Sequence, residues 1–197
     1  MRRTFSFVVL AALLAVGAAQ AVAQEPTPAP GLAEELLELW NDTGKKVIDM
    51  AEDFPEEKYD YKPTPEVRSF AEQLLHVAGA NYFFMSVAGG EKSPTEQLSR
   101  EKYPTKAEIV AVLKKSVAEG TELIQQTGDA GLSESVKFPF GNRMVSRHAM
   151  WMIAVRHAGE HFGNLVVYYR LNGIVPPATR AAQAQRQQQQ QQQQRQQ

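Results

Sequence analysis

Four histidines and no cysteine set the chemistry open to this chain. His76, His148, His157 and His161 are its imidazoles, and with zero Cys there is no thiolate to bind a metal, attack a substrate, form a disulfide or carry a leader lipid. Any metal must be held by His or oxygen. His157 and His161 are four residues apart, so at about 100° per residue they stand roughly 40° apart on a helix, one turn above the other. Two imidazoles so placed bind one divalent ion from a single helix, provided a third ligand comes from elsewhere. His76 falls in a different helical stretch, on a stripe with Glu72, Ala80, Phe83 and Val87. Taken alone it reads more readily as a core histidine bonded to a backbone group or hydroxyl. His148 lies on the opposite side of the helix that carries the pair and reads as a surface or cap residue, not a ligand.

His157-Ala158-Gly159-Glu160-His161 also fits the H-x-x-E-H string of a class of metalloproteases, in which the Glu is the general base and a later carboxylate completes the site. No Asp or Glu follows Glu160 in this chain, so that reading lacks its third ligand. Glu160 itself stands about 60° from His157 and is open to two readings, a solvated helix charge, or a group that serves the pair as a hydrogen-bond acceptor behind a ligand or as a general base.

Four amphipathic segments must position these groups. Leu32, Leu36, Leu39, Trp40, Val47, Met50 and Phe54 recur at helical steps until Pro55. Thr64-Pro65-Glu66 offers a cap, an N1 proline and a first-turn acid to a second helix through Phe70, Leu74, Val77, Asn81, Phe84 and Met85, closed by Gly89-Gly90. Thr105 and Glu108 form a capping box for a third, which carries Ile109, Leu113, Val117 and Ile124 as far as Gly128. Ser146 caps a fourth that holds Met150, Ile153, His157, His161, Leu165 and Tyr168 and stops at Gly173 and Pro176-Pro177. Little period-two alternation remains, so the expectation is an all-α four-helix bundle over residues 31–177 with no sheet of consequence.

The ends differ from this middle. Arg2 and Arg3 precede an apolar run from Phe5 to Ala19, and Ala21-Val22-Ala23 is a small-x-small cleavage pattern, so residues 1–23 read as a signal peptide. Residues 24–30 read as a Pro-rich linker. Export to the periplasm or outside the cell is expected, with no stable membrane anchor after cleavage, because the apolar run is short of the roughly 20 residues a span needs. Residues 178–197 are dominated by Gln, twelve of them among the last fifteen residues, and are expected to be disordered. Lys plus Arg is 21 against 22 for Asp plus Glu, a balance that gives no support to nucleic-acid binding.

The stretches from Tyr59-Asp60-Tyr61-Lys62-Pro63-Thr64-Pro65-Glu66 through Phe70 to Leu74-Leu75-His76, and from His157-Ala158-Gly159-Glu160-His161-Phe162-Gly163-Asn164 to Tyr169-Arg170-Leu171-Asn172-Gly173 and Pro176-Pro177, together resemble the DinB-like (DinB/YfiT) superfamily. That resemblance spans most of residues 32–177 and implies a four-helix bundle with a divalent metal on three histidines. By position these are His76, His157 and His161. Zinc is the expected ion, and nickel or iron would accept the same ligands. The resemblance further implies hydrolase or thiol-transferase chemistry on a small molecule and a possible homodimer; Glu160, from its place beside His157, is the candidate base. A non-catalytic bundle that binds metal or a small ligand in the cell envelope is the other reading. Many members follow the last His with Arg-Gly-Gln; here Phe162 removes that positive charge, while Asn164 keeps an amide able to orient a ligand.

Overall fold

The computed structural model describes residues 29–89 and 98–196. The expected leader and most of the Pro-rich linker lie outside them, as does Gly90. Four long helices form the body: α1 (Leu32–Asp53), α2 (Phe70–Gly89), α3 (Lys106–Leu132) and α4 (Arg147–Leu171), and a fifth, α5 (Pro177–Arg195), follows. Among the described residues no helix is long and apolar enough to cross a membrane.

Neighbours around the bundle run α1, α3, α2, α4 and back to α1. Helices α1 and α2, consecutive in the chain, therefore sit on a diagonal, and α3 and α4 touch only lightly. A diagonal cannot be crossed by a tight turn. The α1–α2 connection supplies the length, and it is ordered by burying Tyr59 between Phe54 and Phe70. The Tyr59 hydroxyl donates to the Ala51 carbonyl, and the amides of Phe70 and Ala71 donate to the carbonyls of Tyr61 and Tyr59 at 3.1 and 2.8 Å.

This connection moves the start of α2. Thr64-Pro65-Glu66 does not cap the helix; Ser69 does. The Glu72 amide donates to Ser69 Oγ at 3.2 Å and the Ser69 amide donates to Glu72 Oε2 at 2.6 Å, a reciprocal box. The backbone tie between Tyr61 and Phe70 holds the intervening residues in turns, so the helical run cannot begin sooner. Thr105 and Glu108 make the expected box on α3, and Ser146 Oγ accepts from the Ala149 amide at 3.1 Å on α4. Gly128 does not end α3: it adopts φ 58°, kinks the helix, and the chain resumes a helical path to Leu132. The kink brings Asp129 to the start of α1, where its Oδ1 accepts the Ala33 amide at 2.8 Å.

Two expectations need correction. A two-stranded antiparallel hairpin, β1 (Ser135–Lys137) and β2 (Met144–Ser146), links α3 to α4. Each strand has three residues, too few for alternation to register. Residues 178–197 were expected to be disordered, yet nearly all of them belong to α5. Ala, Gln and Arg lose little freedom in a helix, and Pro177 occupies its first turn. The lack of apolar residues shows instead as the lack of any buried residue in α5.

Candidate metal centre

Helix α2 carries His76 and α4 carries His157 and His161, and these two helices pack side by side. One ring nitrogen of each histidine lies within 4.8 Å of those of the other two. His76 Nε2 and His157 Nε2 are 3.2 Å apart. Two nitrogens bound to one tetrahedral zinc at about 2.05 Å stand about 3.3 Å apart, so this pair already has the spacing an ion requires. His161 completes the triangle, its ring centroid 4.7 Å from that of His76 and 4.5 Å from that of His157.

The outer nitrogens are held unequally. His161 Nδ1 donates to Gln73 Oε1 at 2.7 Å, which leaves Nε2 as the free lone pair. Gln73 is only 6% exposed; its amide donates to the Tyr168 hydroxyl at 3.4 Å, and that hydroxyl donates to the Arg68 carbonyl. His157 Nδ1 is buried with no hydrogen-bond partner among the described residues. A charged imidazolium would be poorly served here. Burial first, then the Arg68 charge and His157, lower His76 to about 4. Burial first, then the other two rings and Arg68, lower His161 to about 4. His157 is also lowered, chiefly by burial and against the pull of Glu160. Three neutral rings, one in a fixed tautomer, converge with lone pairs available, and this donor set fits a divalent ion.

The centre opens into a cleft of about 1030 Å³ lined by residues that include His76 and His157. Phe83, Phe84, Phe138, Phe140 and Ile153 form apolar walls, and Arg68, Lys62 and Arg100 lie around it.

His148 stays in the first turn of α4, outside the cluster. Glu160 lies on the exposed face of α4, its Oε1 accepting from Arg156 Nη1 at 2.8 Å, and it does not line the cleft. Asn164 is exposed as well; the amide that orients a ring is Gln73, from the facing helix. Gln73 could have been found from its position one turn before His76 among apolar neighbours, and Tyr168 from its place seven residues after His161. Neither signal names the partner across the bundle.

The fold and site define a helical bundle with three convergent histidines on two facing helices. Residues 39–165 match the family model of the DinB superfamily, and the chain belongs to that superfamily. It is 26% identical over 128 residues to the uncharacterized protein YjoA of Bacillus subtilis, covering 64% of this chain and 80% of that one. The crystal structure of YjoA matches with a TM-score of 0.57 at 21% identity, over 71% of this chain and 92% of YjoA. A DinB-like protein of Bacillus cereus ATCC 10987 matches with a TM-score of 0.62 at 21% identity, over 73% and 95%. YfiT of Bacillus subtilis, described as a probable metal-dependent hydrolase with an unusual four-helix bundle topology, matches with a TM-score of 0.56 at 13% identity, over 76% and 94%.

Proposed function

We propose that this protein binds a divalent metal ion, zinc in the first instance, through His76, His157 and His161, and uses it as an exported enzyme of hydrolase or thiol-transferase type on a small molecule. The observation that carries the reading is the convergence of three neutral imidazole nitrogens from two helices beside a cleft with aromatic and charged walls. YfiT, of the same fold, is described as metal-dependent. Three ligands leave a position for water or substrate, where a divalent ion would supply Lewis acidity. The protein's own part is to fix the ligand geometry through Gln73 and to keep the rings deprotonated by burial. The apolar walls exclude bulk water from one side of the substrate.

The position of Glu160 favours a second reading. Its carboxylate is ion-paired with Arg156 on the exposed face, so the base expected beside the pair is not in the cleft. A metal- or ligand-binding bundle without turnover needs no such base.

Elemental analysis of the purified full-length protein and of its His157→Ala variant tests the metal centre. We expect about one divalent ion per chain in the first and loss in the second; equal content in both would rule the centre out. A hydrolase and thiol-transfer screen of the metal-loaded protein then separates turnover from binding alone. Location is tested by fractionating cells for the mature chain.

A further inference from the structure

The cations around the cleft are not equivalent. Lys62 pairs with Glu72 at 3.1 Å, Arg156 with Glu160 at 2.8 Å, and Arg100 holds Asp60 with two nitrogens at 2.8 and 3.1 Å. Arg68 lines the same cleft and has no ion-pair partner among the described residues. Glu66, the remaining acid of the lining, is hydrogen-bonded to Thr64. Arg68 shares that lining with His76 and His157. Its backbone is not free to drift. The Arg68 carbonyl accepts from the Tyr168 hydroxyl, which is bonded in turn to Gln73, the residue that fixes His161. A cation with no ion-pair partner among the described residues is thereby tied, through its backbone, to the same hydrogen-bond chain as a candidate ligand.

Another part of the lining is aromatic. Phe83 and Phe140 are tilted against each other with centroids 5.6 Å apart, and Phe138 meets Phe140 edge-on at 5.7 Å. Phe140 is 67% exposed, a large apolar ring left on show at the tip of the hairpin. A planar guanidinium matches a carboxylate by two parallel hydrogen bonds, and one cation without an ion-pair partner among the described residues neutralises one negative charge rather than two.

We propose that the cleft takes a small carboxylate with an aromatic or aliphatic body, its charged group held by Arg68 beside the three imidazoles and its body lying on Phe83, Phe138 and Phe140. This names the substrate class for the metal centre proposed above and rests on that reading for the reactive end.

The probes are benzoate, phenylacetate and 3-phenylpropionate, each set against its uncharged carboxamide and titrated calorimetrically into the full-length protein, its metal content measured beforehand. The wild type should prefer carboxylate over amide. Arg68→Gln should lower that preference about tenfold, the weight of a charge-assisted bond, and Arg68→Lys should keep part of it. Phe140→Ala should weaken acid and amide alike. Both positions are exposed, so circular dichroism should be unchanged in all variants. A preference that is the same in wild type and Arg68→Gln overturns the proposal, and so does failure of the wild type to bind any of the three acids. Should elemental analysis find no metal, the metal centre fails, and the same comparison on the metal-free chain decides the role of Arg68 by itself.

Discussion

An imidazole that ligates through one nitrogen leaves the other to be oriented, and among the described residues only His161 has its outer nitrogen bonded by a buried side chain, Gln73. Partners of this kind usually hold 10–100-fold of metal affinity. Gln73→Leu, close in volume but without an acceptor, should therefore weaken metal binding by about that factor while the helices remain, as read by chelator competition. Unchanged affinity would mean that ring packing alone orients His161. The lowered histidines also set a pH dependence. In the unfolded chain each ring titrates near 6.5; in the fold His76 and His161 titrate at about 4, and His157 is lowered too. The unfolded state thus binds protons that the native state refuses. The stability these rings contribute to the metal-free protein is full above about pH 6.5 and is lost as pH falls toward 4. Thermal unfolding of wild type and His76→Gln from pH 7 to 4 checks this, the variant showing the shallower decline.

At the scale of elements, packing fixes what propensity leaves open. Helices α1 and α3 approach closely because Gly120 leaves room for the Trp40 indole, whose Nε1 donates to the Val117 carbonyl at 2.9 Å. A methyl group at Gly120 would meet that ring, so Gly120→Ala should destabilise the fold by about 1–3 kcal/mol despite the better helix propensity of Ala, as measured by urea unfolding. Thr105→Ala, which removes one half of a capping box, should cost about 1 kcal/mol. These helices were legible in the sequence where local chemistry decides: the Thr105–Glu108 box and the Ser146 cap declare their starts without reference to the rest of the chain. The start of α2 was not legible, because Thr64-Pro65-Glu66 is an equally good local signal, and what overrides it is a backbone tie from Tyr61 to Phe70. The hairpin escaped for its shortness. Disorder was read into 178–197 from composition, which reports burial and not backbone preference. In the site, the His157–His161 pair was legible from spacing and His76 only through family resemblance. Gln73 meets His161, and the Arg68 carbonyl meets Tyr168, through contacts across the bundle that no periodicity encodes.

At the scale of the molecule, α5 is attached at its base. Arg180 Nη2 donates to Asp53 Oδ1 at 2.5 Å, and Asp53 accepts from the Tyr169 hydroxyl at 3.2 Å. The later Gln residues bury nothing. Deleting residues 183–197, which spares Arg180, should leave stability within about 0.5 kcal/mol and metal uptake unchanged, by thermal unfolding and elemental analysis. Because metal would bind only where α2 and α4 are docked, saturating it at about 100 times its Kd should stabilise the fold by about 2.7 kcal/mol. The His157→Ala variant should show no such gain.

The diagonal placement of α1 and α2 has a bearing on how the molecule matures. A chain emerging from the ribosome amino end first releases His76 some eighty residues before His157, an interval read from the sequence. During that interval the groove beside α2 that α4 will fill stands open. A cation meeting the half-made polypeptide finds His76 without the His157 and His161 that would complete the proposed centre. A metal ion taken up by the proposed centre would therefore be captured late, once α4 has docked beside α2, and chelators present during synthesis should leave the yield of folded apoprotein untouched.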